Sequence, residues 1–272
     1  MLRATSLTRT IAWRLGRWLY SQARGDGPND PTRNGEYWLL RSYLSMASGP
    51  IVLLDIGANV GNWTERALRY SRGSRSLRVY AFEPAPAARA LLEGRFAGHP
   101  SVVVKAVALS DVVGRARFYI GEPTAGTNSL SAISGQTTID VDVLTLDEYL
   151  EDEGIPSVGL VKVDTEGFDM NVLRGAGKTL AAGRIEVIQF EYNWRWIVAR
   201  NSLRDVFQLI EGKPYRLGKL VGRSIEFFDR WHFEMDRFFE NNYVLVKADS
   251  PVANLGVAVR FDRSNALRIS RE

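Results

Sequence analysis

The sequence IVLLDIGANVGNWTERAL, residues 51–68, decides the fold. Its first four residues are apolar, which is typical of a short strand buried on both faces. Asp55 follows, and Gly57 and Gly61 lie in a turn that leads into a helix near Asn62. Glycine has no Cβ, so it lets a ligand lie directly against the main chain. A strand, a glycine-containing turn and a helix N-terminus predict a nucleotide-type site at the carboxyl end of a parallel sheet.

The spacing of this turn points to a ligand with positive groups. It reads Asp-x-Gly-x-x-x-Gly, whereas dinucleotide sites have Gly-x-Gly-x-x-Gly. The carboxylate of Asp55 would repel a pyrophosphate but suits the ammonium and sulfonium groups of S-adenosylmethionine. In the simpler alternative, Asp55 only caps the next helix and the glycines only turn the chain. This stretch alone leaves both interpretations open.

Composition narrows the function classes. The 272 residues are enough for one large α/β domain, and an apolar content of 45% is ordinary for that class. The chain has no cysteine, which excludes disulfides, thiolate zinc sites, a cysteine nucleophile and base methylation through a cysteine adduct. Its net charge of +4 permits anionic partners without requiring them. We expect a cytoplasmic protein, because the absence of cysteine leans towards the cytosol, and we expect a homo-oligomer. No apolar run approaches the roughly 18–20 residues of a membrane span.

Residues 1–24 contain five arginines and no acidic residue. The apolar residues of this segment recur at helical spacing, which predicts a basic amphipathic helix. Those residues are Leu7, Ile11, Leu15, Trp18 and Leu19. Three interpretations remain open: a transit-like leader, a helix that contacts a membrane surface or a partner, and a helix packed on the domain.

The rest of the chain alternates between buried strands and amphipathic helices. This pattern predicts an α/β fold with a doubly wound, Rossmann-like sheet of seven strands. The seven strands are expected at residues 51–54, 77–82, 101–109, 159–163, 185–190, 215–220 and 242–247. Alternating residues at 115–120 and 138–144 predict a β-hairpin insert, and we expect its loop, 121–137, to overhang the mouth of the pocket.

The predicted domain organisation has three parts. Residues 1–48 form an N-terminal helical extension, 49–250 form the main domain, and 251–272 form a C-terminal tail.

Acidic residues follow five of the predicted strands at their carboxyl ends. They are Asp55, Glu83, Asp111, Asp164 and Glu191. Because ligands of such sheets bind at the carboxyl ends of the strands, this clustering predicts one polar site. Glu83 ends the second strand, where a carboxylate accepts hydrogen bonds from both hydroxyls of a ribose. Ser110 and Asp111 lie where the edge of an adenine would be expected.

Five motifs together carry a family resemblance. They are DIGANVGNWT (55–64), AFEP (81–84), ALSD (108–111), VDVLTLDEYL (141–150) and LVKVDTEGFDMNVLRGAG (160–177). With them the chain resembles the FkbM-type class I S-adenosylmethionine-dependent methyltransferases over about residues 50–195. The Lys-x-Asp-x-Glu-Gly core at 162–167 is the most specific element of the resemblance.

The resemblance implies roles for individual cofactor-binding residues. Gly57, Asn59 and Gly61 would surround the methionine part of S-adenosylmethionine. Glu83 would bind the ribose, Ser110 and Asp111 would approach the adenine, and Asp164 would lie beside the amino group or the acceptor. Asp55 completes the set of expected cofactor-binding residues.

The resemblance also implies methylation of oxygen, commonly of hydroxyls on sugars or secondary metabolites. A hydroxyl is a weak nucleophile, so a base or a metal ion should assist the transfer. The candidate catalytic residues are Asp164, Glu166, Glu191 and His232. Alternatively, Asp164, Glu191 and Asn193 could hold Mg²⁺ through oxygen ligands.

The aromatic residues near the fifth strand suit a sugar acceptor, whose C–H faces stack on rings while its hydroxyls form hydrogen bonds. We expect Tyr192, Asn193, Trp194 and Trp231 to bind the acceptor. The predicted function is therefore O-methylation of a hydroxyl on a sugar, an oligosaccharide or a glycosylated secondary metabolite, with no nucleic-acid partner. An RNA methyltransferase, suggested by the basic charge, and a non-catalytic docking protein that retains the fold are the alternatives.

Overall fold

The structure is a computed structural model that describes residues 6–71, 76–120, 129–130 and 137–270. The nine α-helices in these residues are α1 (Ser6–Ala23), α2 (Glu36–Met46), α3 (Asn62–Ser71), α4 (Pro86–Arg95), α5 (Leu146–Asp152), α6 (Asp169–Arg174), α7 (Gly177–Ala181), α8 (Arg195–Val198) and α9 (Leu203–Ile210). Within the same ranges, no helix is both long enough and apolar enough to cross a membrane.

Strands and helices alternate through most of the chain. The strands of the described residues are β1 (Ile51–Ile56), β2 (Leu77–Phe82), β3 (Val102–Lys105), β4 (Ala108–Ser110), β5 (Gly114–Ile120), β6 (Thr137–Thr145), β7 (Val158–Val163), β8 (Ile185–Tyr192), β9 (Tyr215–Val221), β10 (Ser224–Phe228), β11 (Asn241–Lys247), β12 (Gly256–Phe261) and β13 (Leu267–Ile269).

The main sheet confirms the predicted fold class and extends it. Its strand order is β13-β12-β10-β9-β11-β8-β7-β1-β2-β3. The seven predicted strands form one contiguous block, β9-β11-β8-β7-β1-β2-β3, in which β1, β2, β3, β7 and β8 are parallel and β11 is antiparallel to both of its neighbours. The expected count of seven is too low, because β10, β12 and β13 continue the sheet beyond β9 to ten strands.

The predicted third strand is in fact two strands in different sheets. β3 pairs with β2 in the main sheet, whereas β4 pairs with β6 in a separate three-stranded sheet of order β4-β6-β5. The predicted hairpin is present in that small sheet, where β5 and β6 pair in antiparallel register. The expected loop lies mostly outside the described residues, apart from Ser129 and Leu130.

The two ends of the chain are placed differently from each other. In the N-terminal region, α2 packs its buried residues, including Leu39 and Leu40, into the core beside β1, whereas α1 exposes its large apolar side chains. In the C-terminal region, residues 251–269 contain a short 3₁₀ helix (Pro251–Leu255) and then β12 and β13. The segment expected to be a tail therefore contributes strands to the main sheet.

The parallel block positions the carboxyl ends of β1, β2, β7 and β8 at one edge. β1 lies between β2 and β7, with Asp55 opposite Ala81 on one side and Lys162 on the other. Its residues Leu53, Leu54 and Ile56 are buried on both faces, as the apolar run predicts. Gly57, Glu83, Asp164 and the end of β8 are consequently brought to the same rim.

Candidate active site

The turn after β1 requires glycine at its first position. Gly57 has a φ of 81°, and a Cβ there would lie 1.9 Å from the carbonyl oxygen of Asp164. Any side chain at residue 57 would therefore collide with the backbone that follows β7. The turn also places Asn59 in the left-handed region, with a φ of 49°. The close approach of the two strand ends fixes one wall of the site.

Glu83 joins the ends of β1 and β2. Its Oε2 accepts a hydrogen bond from the backbone N–H of Asn59 at 2.8 Å, and its Oε1 accepts one from Ala85 at 2.8 Å. Burial raises the pKa of Glu83, although both backbone N–H groups favour the charged form. Each oxygen of this carboxylate keeps acceptor capacity beyond one bond, so Glu83 can still accept hydrogen bonds from ligand hydroxyls.

A first cavity lies over these strand ends. The lining residues are Gly57, Asn59, Glu83, Pro84, Ala108, Phe118, Leu130, Asp164, Thr165, Glu166 and Phe168. The apolar part of this lining suits the adenine of S-adenosylmethionine. The polar part suits its ribose and its charged methionine chain. The side-chain oxygen of Asn59 is buried and has no hydrogen-bond partner among the described residues. The cavity therefore fits S-adenosylmethionine.

A second cavity of about 910 Å³ adjoins the first. The two share Gly57, Asn59, Asp164 and Glu166. The remaining lining residues of the second cavity come from the segment before α2, the start of α2, the turn before α3, and strands β7, β8 and β11. They are Asn29, Pro31, Glu36, Tyr37, Ala58, Val60, Asn62, Trp63, Lys162, Glu191 and Asn242. A molecule in the second cavity would thus lie against the same four residues as a molecule in the first.

Lys162 is the buried cation of the second cavity. Its Nζ donates to Asp164 Oδ2 at 2.9 Å. The nearby charges of Asp164, Glu36 and Asp55 raise the pKa of Lys162 above its ordinary value even though burial opposes this. Lys162 therefore stays charged beside the carboxylate of Asp164.

Glu166 and Asp169 stabilise the turn after β7 in different ways. Glu166 has a φ of 55°, and its Oε2 pairs with Arg195 Nε at 3.1 Å. Burial and the charge of Asp164 raise the pKa of Glu166 to about 8. Asp169 accepts the backbone N–H of Gly167 at 3.2 Å, so Asp169 is the carboxylate that contacts the backbone of this turn.

Glu191 lies at the end of β8, on the wall of the second cavity. Its Oε2 accepts a hydrogen bond from Asn193 Nδ2 at 2.7 Å, and among the described residues its side chain forms no ion pair. Burial, followed by the charges of Asp164 and Glu166, raises the pKa of Glu191 well above its ordinary value of 4.5. Of the carboxylates that line the second cavity, Glu191 and Glu36 are the two that form no ion pair among the described residues, and Glu191 is the one that lies at the end of a parallel strand.

The arrangement does not fit the predicted magnesium site. Asn193 directs its amide nitrogen at Glu191, and its Oδ1 accepts the backbone N–H of Arg195 at 2.9 Å. Asn193 therefore has both amide groups committed to protein partners. No group of three or more histidine or acidic side chains within the described residues is arranged to hold a metal ion.

Several predicted cofactor-binding residues lie behind the first cavity. Asp55 is fully buried, and its Oδ2 accepts a hydrogen bond from the hydroxyl of Thr64 at 2.7 Å. At Gly61 a Cβ would lie 2.5 Å from the ring of Phe96, so this glycine permits packing of α3 against α4. Ser110 and Asp111 line neither cavity; Asp111 Oδ1 accepts from the hydroxyl of Ser110 and from Asn171.

The predicted catalytic histidine lies away from both cavities. The ring of His232 stacks between Phe233 and Phe261, with ring centroids 4.5 and 4.3 Å away, and its Nδ1 accepts the backbone N–H of Glu234. Of the predicted catalytic residues, Asp164, Glu166 and Glu191 therefore line the second cavity together, and His232 lies outside it.

The predicted acceptor-binding aromatic residues are also dispersed. Tyr192 is buried, and its hydroxyl donates to Asp236 at 3.1 Å. Trp231 also donates to Asp236, and it lines a separate groove beside α9. Trp194 is 52% exposed and contacts the guanidinium of Arg195.

Glu36 is a site residue that sequence reasoning did not identify. It opens α2, is buried, and accepts a hydrogen bond from Gln189 Nε2 at 3.0 Å. Gln189 also donates to Asn242 at 3.1 Å. Burial raises the pKa of Glu36 to about 7. The only sequence signal was an acidic residue at the start of an apolar helix, which is equally typical of a residue placed to favour the helix dipole.

Comparison with known proteins identifies relatives. The chain is 27% identical to the hexuronic acid methyltransferase AglP of Haloferax volcanii over 157 residues, which are 57% of this chain and 62% of AglP. It is 26% identical to the 2-O-methyltransferase NoeI of Sinorhizobium fredii over 158 residues, which are 52% of this chain and 63% of NoeI. The chain thus spans somewhat less than two thirds of the length of these two relatives.

Among solved structures, the methyltransferase FkbM of Methylobacillus flagellatus KT has a TM-score of 0.48 and 15% identity, covering 76% of this chain and 47% of that one. The sequence model of the methyltransferase FkbM domain matches residues 55–217, from the end of β1 into β9. That match includes Gly57, Glu83, Asp164 and Glu191 and covers more than half of the chain. The chain therefore belongs to the FkbM methyltransferase domain family.

Proposed function

We propose that this protein is an S-adenosylmethionine-dependent O-methyltransferase that acts on a hydroxyl of a sugar, an oligosaccharide or a glycosylated secondary metabolite. One observation carries the proposal: the cavity at the strand ends and a larger polar cavity share the residues Gly57, Asn59, Asp164 and Glu166. Such a shared wall places a methyl donor and an acceptor side by side, which is the main requirement for an in-line transfer. The family membership and the names of the two relatives support the same activity.

The residues of the first cavity would hold the methyl donor. Glu83 would accept hydrogen bonds from the ribose hydroxyls, and the carboxylate of Asp164 would attract the positive amino group. The buried oxygen of Asn59 offers a further acceptor. When bound, S-adenosylmethionine supplies an electrophilic methyl group on a sulfonium.

Glu191 is the residue that we assign as general base. Asp164 is paired with Lys162 and Glu166 with Arg195, so an oxygen of each of these two carboxylates is already engaged by a cation. Glu191 instead has a neutral amide partner and a raised pKa, which makes it a stronger proton acceptor. The acceptor hydroxyl gives its proton to Glu191 as its oxygen takes the methyl group. Because Glu191 is largely buried, little water surrounds it, and this favours the proton transfer.

The charges of the second cavity favour an uncharged acceptor. Four carboxyl groups face it, those of Glu36, Asp164, Glu166 and Glu191, against the single cation Lys162 among its lining residues. A uronic acid or a phosphate would add negative charge and so further disfavour ionisation of these carboxyl groups, including that of Glu191, whereas neutral sugar hydroxyls can donate hydrogen bonds to their oxygens. We therefore expect neutral glycosides to be methylated in preference to glycosides of uronic acids.

The test begins with calorimetry of the purified chain and S-adenosylmethionine. We expect binding, and we expect Glu83→Ala to weaken it about tenfold to 100-fold, because at least one charge-assisted hydrogen bond to the ligand is lost. Neutral and acidic glycosides are then incubated with the methyl donor and scored for the mass gain of one CH₂. Absence of binding by the folded wild-type chain would refute the proposal.

A further inference from the structure

The helix α1 is exposed along its whole length. Its large apolar residues Leu7, Ile11, Leu15, Trp18 and Leu19, here called the apolar face of α1, each keep more than half of their surface accessible. Isolated exposed apolar residues are ordinary, but a contiguous set on one helix marks a surface that binds something. The sequence match to the family begins at residue 55, so α1 lies outside it.

The apolar face of α1 points away from the domain. At about 100° per residue, its five side chains fall within an arc of about 120°. Arg17 and Tyr20 lie on the opposite side of the helix, and these two residues contact the domain. The guanidinium of Arg17 lies 3.7 Å from the centre of the Phe239 ring, and the hydroxyl of Tyr20 donates to Glu234 at 2.8 Å.

This orientation is the reverse of ordinary helix docking, in which an amphipathic helix buries its apolar side against the core. Just after α1, Arg24 is buried and donates to the carbonyl of Glu234 at 3.0 Å, which attaches the end of the helix to the domain. The polar attachment thus leaves the apolar face of α1 free to contact another surface.

The charges beside the apolar face of α1 are all positive. Arg14 is exposed at one edge of this face, Arg9 is exposed further around the helix, and residues 1–24 contain no acidic residue. A second copy of α1 packed on the first would bring arginines near arginines without an acidic partner. An anionic lipid surface, in contrast, offers apolar chains for the five side chains and negative head groups for the arginines.

We propose that α1 binds peripherally to anionic lipid bilayers, with its axis in the plane of the membrane. The apolar face of α1 enters the boundary between head groups and acyl chains, Arg14 at the edge of this face contacts the head groups, and Arg9 adds longer-range attraction to the anionic surface. Trp18 suits this boundary because its ring is largely apolar and carries one polar N–H group.

The experiment is flotation of the full chain with vesicles of phosphatidylcholine, with and without phosphatidylglycerol. We expect binding to the anionic vesicles and weakening of that binding by salt. Leu15→Glu should lower the partition coefficient at least about tenfold, which corresponds to the loss of one buried leucine. Leu91→Glu is the matched control: Leu91 on α4 is 53% exposed, compared with 55% for Leu15, and its replacement should change nothing.

A second pair of variants tests the charge contribution. Arg9→Gln combined with Arg14→Gln should lower binding about 30-fold at low salt, from about 1 kcal/mol per arginine at an anionic surface. Arg41→Gln combined with Arg223→Gln removes the same charge elsewhere and should leave binding unchanged. Failure of wild type to float with anionic vesicles would overturn the proposal. Equal binding by Leu15→Glu, or a change from dimer to monomer in Leu15→Glu without vesicle binding, would also overturn it.

Discussion

Replacement of Glu36 by glutamine should stabilise the protein at alkaline pH. Burial of Glu36 between α2 and β8 raises its pKa from 4.5 to about 7, and the charge of Lys162 only partly offsets this effect. The folded protein thus binds this proton more tightly than the unfolded chain does. The resulting stability is fully present below pH 4.5 and is lost as the pH rises through about 7.

The magnitude follows from the two pKa values. At about 1.36 kcal/mol for each pH unit, the difference between 4.5 and about 7 costs the folded state about 3 kcal/mol when the carboxyl is ionised. Glutamine has the same shape, has no charge and keeps an oxygen for the hydrogen bond from Gln189. The advantage in stability of Glu36→Gln over wild type should therefore grow by about 2.5 kcal/mol between about pH 5 and about pH 8.

Urea denaturation of both proteins at the two pH values measures this growth directly. Comparison with wild type at each pH removes the contribution of every other titrating group. Gln189→Ala is the matched control, because it deletes the hydrogen-bond donor but keeps the titrating carboxyl, so its stability should still fall with rising pH. A constant difference between Glu36→Gln and wild type across this range would refute our account of Glu36.

Two further changes test the site itself. Gly57→Ala should weaken S-adenosylmethionine binding about 100-fold in calorimetry, because the new Cβ would collide with the carbonyl of Asp164. Gly49→Ala is the control: Gly49 also has a positive φ, but a Cβ there would have nothing within 4 Å, so this variant should bind the cofactor normally. Glu191→Gln should lower kcat about 10²-fold to 10⁴-fold with unchanged cofactor affinity. Because the pKa of Glu191 is raised, wild-type activity should increase with pH above the usual titration range of glutamate, and this increase should vanish in the variant. Retained kcat would exclude Glu191 as the base.

The sequence predicted the central sheet because its strands carry local signals. Short apolar runs such as Ile51–Ile56 can be buried on both faces only in a parallel sheet covered by helices. The extra strands carried weaker signals. Ser224–Phe228 follows a turn and contains Glu226, and Gly256–Phe261 lies near the C-terminus after a proline. The pairing of β12 with β10, a segment well before it, leaves little trace in a local pattern, whereas β10 pairs with its neighbour β9 across the short turn at Gly222 and Arg223.

The sequence predicted those site residues whose positions depend on the backbone, and it predicted less well those whose side-chain directions depend on tertiary packing. Gly57, Glu83 and Asp164 line the first cavity because they directly follow parallel strands, and strand ends can be located from sequence. The direction of a side chain beyond a strand end depends on tertiary contacts. Tyr192 turns into the core to reach Asp236, and Glu36 reaches the second cavity from a helix far away in sequence. Neither placement follows from residue type or spacing.

The net charge of the chain is a poor guide to its acceptor, because opposite charges are separated within the molecule. Exposed arginines without acidic neighbours lie on α1, whereas carboxyl groups outnumber the one cation among the residues that line the second cavity. A polyanion such as RNA would be attracted to the first region and repelled from the second. The basic pI that suggested an RNA methyltransferase therefore reports on the outer helix, and we expect the local charge beside Glu191 to decide which molecule can be methylated.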